Sequence, residues 1–223
     1  DLKSVSNGVP VRVRPRVPII INNSMEERYV SHLPGVCEPV YSLSFDHERL
    51  IRSTEILCQR IGMDMQMQRT MAINLTHLPG IKGADRWSKY NQSHLEITKE
   101  GLTERDFVEP LAEMTDLYLH EVIQEINLHH PGGLTGRVQL TWIASGFAYP
   151  LHRDLQSPHR YHIPLISNPW CRWSFLDDTH DITYRLHMPA SGMAWYLDPI
   201  TFAHTVSNEG ERARLHLLIS DYS

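Results

Sequence analysis

The sequence has no apolar run approaching the roughly 20 residues that a membrane-spanning helix needs. Its longest candidate, Val17 to Ile21, is far too short and contains Pro18. An integral membrane protein is therefore excluded. Cysteine is scarce: Cys37, Cys58 and Cys171 form no CxxC pair and cannot all pair with one another. That suits a reducing cytoplasm better than an oxidising compartment. The chain opens on Asp1 rather than Met, as expected of a trimmed sequence, and shows no secretory apolar segment, so a cytoplasmic location is expected. A basic excess is also missing. Lys and Arg number 21 against 26 Asp and Glu, a net charge of −5, which argues against a nucleic-acid partner. The local exception, Arg12, Arg14 and Arg16 in VRVRPRV, reads as a solvated edge or arm. No internal repeat or low-complexity tract is present.

What is there is enough to fold. At 223 residues, with 41% hydrophobic and 21% charged, the chain can bury a sizeable core without staples. We expect a single domain over 1–223, with an N-terminal arm and helical support (1–135) and a catalytic core (136–223). The first 40 or so residues are rich in Pro, Asn and Ser and read as an extended arm with short strands. Val40 to Phe45 alternates as a strand. Asp46 is placed to cap a helix carrying Leu50, Thr54, Leu57, Cys58 and Ile61, which Gly62 closes. Met67 to Leu75 reads as a further strand, and Pro79 to Gln92 as a polar loop whose Arg86, Trp87 and Tyr90 are placed to close over a substrate. Thr103 and Asp106 form a capping-box pattern. Phe107, Leu111, Met114, Tyr118, Val122 and Ile126 predict one face of a long helix, starting near Glu109 because of Pro110.

After Gly136 the texture changes. Arg137–Ala144, Tyr161–Ser167, Cys171–Leu176, Ile182–Met188, Met193–Leu197, Ala203–Ser207 and Arg212–Ser220 all read as strands, as does the short Tyr149–Asp154. About eight strands separated by turn signals, with no helix between them, predict a barrel or double-sheet jelly roll. The fold class is thus mainly β with supporting α, the N-terminal helices packed on one sheet.

Histidine is the conspicuous residue, at 14 copies. Acidic residues occupy 26 of 223 positions, so chance alone supplies roughly 1.6 His-x-Asp/Glu matches. Two occur. His94-Leu95-Glu96 lies in a polar inter-helix region and reads as a surface histidine. His152-Arg153-Asp154 follows a strand and the turn-prone Ser145-Gly146, so its outer two residues can face a barrel interior together. His204, on a later strand, would complete a two-histidine, one-carboxylate set suited to non-heme Fe(II). Arg214, ten residues on across the Asn208-Glu209-Gly210 turn, has the parity to face the same cavity, where a buried guanidinium needs an anion such as a dicarboxylate. Arg160 and His162 form a second inward pair on one strand. Arg137 and Gln139 share one face of their strand, Leu140 and Trp142 the other. Trp142, Trp173 and Trp195 read as core, and His187 and His216 as structural or as partners of a ligand.

The stretch from Gly136 to Asp221, with GRVQLTWIASGFAYPLHRD, RYHIPL and HTVSNEGERARLHLLISD, resembles the aspartyl/asparaginyl β-hydroxylase family of Fe(II)/2-oxoglutarate dioxygenases. The resemblance implies a double-stranded β-helix of cupin-like form and an enzyme that hydroxylates an amino acid or an Asp/Asn-type side chain in a peptide. It implies Fe(II) and 2-oxoglutarate as cofactors, O2 as co-substrate, and a small-molecule or peptide substrate. His152 and His204 map to its iron-binding histidines, Arg160 and His162 to residues that help hold 2-oxoglutarate, and Arg214 to the arginine gripping its distal carboxylate. Some family members carry glycine where this chain keeps Asp154, so a complete triad of His152, Asp154 and His204 is expected, and a halogenase is not. The C-terminal substrate domain of some proline hydroxylases is not expected. Tyr149 and Arg153, with Arg137 and Gln139, are candidates for substrate contact. Two other readings stand beside this one: a cupin-type metalloenzyme not using 2-oxoglutarate, and a non-enzymatic jelly-roll binding module.

Overall fold

The computed structural model describes residues 26–90, 94–129, 135–154, 159–176 and 182–221. Its first half runs β1 (Glu26–Tyr29), β2 (Cys37–Ser44), α1 (His47–Arg60), β3 (Met71–Asn74), β4 (Thr76–His77), α2 (Asp85–Ser88), α3 (His94–Lys99), β5 (Glu109–Pro110) and α4 (Tyr118–Leu128). The second half is strand throughout: β6 (Thr135–Ile143), β7 (Phe147–Ala148), β8 (His159–Ile166), β9 (Cys171–Leu176), β10 (Ile182–Leu186), β11 (Met193–Leu197), β12 (Ala203–Asn208) and β13 (Arg214–Asp221). Arg12, Arg14 and Arg16 lie outside the described residues, as do the side chains of His94 and Glu96. Among the described residues no helix is long and apolar enough to cross a membrane.

The strands form a five-stranded sheet ordered β1-β10-β9-β12-β7 and a six-stranded sheet ordered β2-β11-β8-β13-β6-β3. Pairing within both is antiparallel except for β1 on β10. The sheets face each other as the expected jelly roll. The N-terminal part contributes more than helices to it, since β1, β2 and β3 lie at sheet edges.

Alternation decides what each face buries. On β6, Arg137, Gln139, Thr141 and Ile143 point between the sheets, while Val138, Leu140 and Trp142 point outward into the main core. That core fills the space between the six-stranded sheet and the helices, with Leu50, Leu57 and Cys58 of α1 and Leu119, Val122 and Ile126 of α4 against Ile163, Leu215 and Leu217. Trp142 is buried there and donates its indole N–H to the Met65 carbonyl at 2.9 Å. Helix α1 starts where expected: the Asp46 side chain accepts from the Arg49 N–H at 3.0 Å.

Three expectations fail, for reasons of pairing. The long helix predicted from Glu109 is only α4, from Tyr118. The residue before a proline resists helical geometry, and Glu109–Pro110 instead pairs with β4, while the Leu111 N–H donates to the Leu75 carbonyl at 2.9 Å. The described part of that loop, 79–90, contains α2 and turns its three side chains to the protein: Arg86 makes a two-point ion pair with Glu113, Trp87 packs on the main core, and Tyr90 is buried. The Tyr149–Asp154 strand is likewise reduced to β7 and a lone bridge between His152 and His204.

Gly192 joins the two layers. Its φ is +79°, its carbonyl accepts from the Phe45 N–H at 3.0 Å, and an added Cβ would run into the Phe45 carbonyl oxygen. Gly192→Ala should therefore lower stability by at least about 1 kcal/mol, read as a fall in the urea midpoint with an unchanged slope. A variant as stable as the parent would show that this approach is not tight.

Candidate metal centre

Two reciprocal backbone hydrogen bonds, His152 N–H to His204 O at 3.0 Å and His204 N–H to His152 O at 2.7 Å, bring the two histidines opposite one another, with ring centroids 4.5 Å apart and planes tilted by 52°. Each imidazole is oriented the same way. Nδ1 of His152 lies 2.7 Å from the Pro150 carbonyl and Nδ1 of His204 lies 3.2 Å from the Phe202 carbonyl. With Nδ1 donating to a carbonyl, Nε2 keeps its lone pair, the usual arrangement of a ligating histidine. Asp154 Oδ1 stands 3.5 Å from His152 Nε2, and one ligand atom from each of His152, Asp154 and His204 lies within 4.8 Å of the others. Burial, then the neighbouring His152, depress His204 to a pKa of about 4, so its imidazole is neutral near pH 7. Two imidazoles and one carboxylate on one side of a cavity fit a first-row divalent ion, Fe(II) among them, with coordination positions to spare.

These residues stand at one end of a cavity of about 560 Å³ between the sheets. Arg160, His162, Arg214, Arg137 and Gln139 also line it, each where sequence parity places it, and so does Tyr149. Arg153 does not: it is exposed, turned away between His152 and Asp154. His187 meets the Cys171 carbonyl at 3.1 Å. His216 is buried on the inward face of β13, its ring 5.7 Å from that of His162.

The three cavity arginines differ. Arg160 Nη2 lies 2.9 Å from Asp154 Oδ2, and Arg137 pairs with the buried Glu104 and donates to the Tyr90 carbonyl at 2.9 Å. Arg214 is 3% exposed, yet among the described residues no carboxylate pairs with it. Its neighbours are the Cys171 sulfur at 3.9 Å and the Trp173 ring, 5.4 Å from Cζ to centroid. Desolvation lowers its pKa from the ordinary arginine value. Beside it, both ring nitrogens of His162 lack a hydrogen-bond partner among the described residues, and burial together with Arg214 and Arg160 holds that imidazole neutral.

Set beside known proteins, the chain matches no protein-family model and no curated protein. Among solved structures, it is similar to an oxidoreductase of the 2OG-Fe(II) oxygenase family from Burkholderia pseudomallei, with a TM-score of 0.50 and 14% identity over 88% of this chain and 95% of that one. At that identity the likeness shows the fold. It is the jelly roll. Partial overlaps, each with a TM-score of 0.31, occur with oxalate decarboxylase of Bacillus subtilis (21% identity over 39% of this chain) and a cupin domain of Bordetella pertussis (10% over 39%, and 81% of that domain). The match spans 22% of the length of the oxalate decarboxylase.

Glu104 and Ser220 are site neighbours that sequence reasoning did not single out, and Trp173, read as core, lines the cavity while Cys171 lies beside Arg214. Glu104 sits inside the capping box of Thr103 and Asp106, which is present as expected, and nothing local distinguishes an acidic residue that folding will bury.

Anaerobic titration should show one Fe(II) or Mn(II) per chain, with His204→Ala weakening binding by at least about tenfold. Parent-like affinity in that variant would remove the metal assignment.

Proposed function

We propose that this protein is an Fe(II)/2-oxoglutarate-dependent dioxygenase that hydroxylates an unactivated C–H bond. The observation that carries the reading is Arg214, a buried guanidinium that no carboxylate among the described residues pairs with, in the cavity that holds His152, Asp154 and His204. An unpaired buried charge costs several kcal/mol. A dicarboxylate reaching from the metal to Arg214 would relieve that cost with a two-point hydrogen bond. The two orphaned nitrogens of His162 lie beside the same path. Arg214, together with Arg160, argues against a cupin-type metalloenzyme without 2-oxoglutarate, and the combination of two histidines, an aspartate and two arginines in one cavity argues against a non-enzymatic jelly-roll module.

In this reading His152, Asp154 and His204 hold the ion, which with 2-oxoglutarate supplies the activation of O2. The chain's own groups do the rest. Pro150 and Phe202 carbonyls fix both imidazoles in one tautomer. Arg214 orients the co-substrate, and Trp173, Val206 and Leu218 keep its surroundings apolar and shielded from water. Gln139, Tyr149 and Arg137 lie on the walls where a substrate would enter. The resemblance to aspartyl/asparaginyl β-hydroxylases supports an amino acid or an Asp/Asn side chain of a peptide as substrate, and three cysteines without a CxxC pair suit a reducing, cytoplasmic setting.

Succinate formation screened against amino acids and Asp- or Asn-containing peptides tests the reading. Arg214→Lys should raise the KM for 2-oxoglutarate, about tenfold for each ~1.4 kcal/mol lost, with metal affinity unchanged because Arg214 touches no ligand. An unchanged KM in Arg214→Ala would assign the anchoring elsewhere. No succinate with any substrate or without one, in iron-loaded protein, would refute the activity.

A further inference from the structure

We infer that Glu104 is a positioning residue for the metal's carboxylate ligand, acting through Arg160. The inference rests on the reading of His152, Asp154 and His204 as a metal site. Glu104 is 1% exposed, a burial that a carboxylate tolerates only when well paired. It accepts from Arg137 and from the Ser220 hydroxyl, and its Oε1 stands 3.7 Å from Arg160 Nη2. The same Nη2 lies 2.9 Å from Asp154 Oδ2, while Asp154 Oδ1 is the oxygen turned toward His152. One guanidinium thus stands between two carboxylates, one buried in the scaffold and one at the metal.

This arrangement divides Arg160's charge. Tied to Arg160 by Oδ2, Asp154 can offer only Oδ1 to a metal, which keeps the remaining coordination positions open. Were Arg160 paired with Asp154 alone, its full charge would fall on that carboxylate and reduce its donor strength. Glu104 holds part of that charge back. It is itself located by three elements far apart in sequence: the capped turn at Thr103–Asp106, Arg137 of β6 and Ser220 of β13. Arg137, Ser220 and Arg160 are not metal ligands, and Arg160 is what links Glu104 to Asp154.

A double-mutant cycle on Mn(II) affinity, measured without 2-oxoglutarate or substrate, tests this. The proteins are the parent, Glu104→Gln, Arg160→Gln and the double variant, all of which retain the three ligands. Glu104→Gln should weaken Mn(II) binding by about tenfold, and should change it by less than about twofold when Arg160 is already Gln. Equal weakening in both backgrounds would mean a general structural effect and would overturn the inference, as would parent-like affinity in folded Glu104→Gln. Should Glu104→Gln not fold, Ser220→Ala decides. It frees one Glu104 oxygen, and its smaller weakening must again vanish with Arg160→Gln. Binding by His204→Ala is the separate check: parent-like affinity there ends the metal reading itself, whatever the cycle shows.

Discussion

The pairing of His152 with His204 is the contact on which the site depends. It is a backbone bridge, not a side-chain contact, so its geometry follows from strand β12 lying in register between β9 and the ribbon that contains β7. His204 faces Phe175 across one edge of β12 and His152 across the other. Because neighbouring strands stand less than 5 Å apart, two histidines opposite one another on paired strands arrive within reach of a single ion without strain. The i−2 carbonyls of Pro150 and Phe202 then orient each ring from its own strand. Preorganisation here is a property of the sheet.

Charge is distributed along the cavity with a gradient of compensation. At the metal end the groups alternate in sign, Asp154, Arg160, Glu104, Arg137, each within ion-pair distance of the next. Such a chain is self-satisfying and stiff. At Arg214 the alternation stops, and a buried cation faces sulfur, an indole face and neutral imidazole. A protein gains no stability from that arrangement. A ligand that brings its own negative charge does.

The helical layer serves this interior from outside. The inward face of the six-stranded sheet carries Arg137, Arg160, His162 and Arg214 beside a smaller apolar cluster that includes Ile143, Trp195 and Leu197. Its outward face, with Leu140, Trp142, Ile163, Leu215 and Leu217, packs against α1 and α4 in the main core. The chemistry and the stability of one sheet are thus divided between its two faces.

Much of this was legible in the sequence because it is local. Alternation in RVQLTWIA separated Arg137 and Gln139 from Leu140 and Trp142, and the His-x-Asp spacing with a later histidine and arginine placed His152, Asp154, His204 and Arg214 on a common interior. Period-two geometry needs no tertiary information. Pairing partners do. Glu109–Pro110 left its helical pattern because β4 offered it an edge, and Arg86, Trp87 and Tyr90 turned to the helical layer because Glu113 and the core were there to receive them. Glu104 meets Arg137 across 33 residues and Ser220 across 116, so no window of sequence contains its environment. The same holds for Arg160, whose residue type promised an anion but whose nearest anion, Asp154, was set by how the segment after β7 folds back onto β12. Residue type and spacing determined which groups enter the cavity; only the closed roll decided which charges meet there, because electrostatic partners are chosen by distance in space.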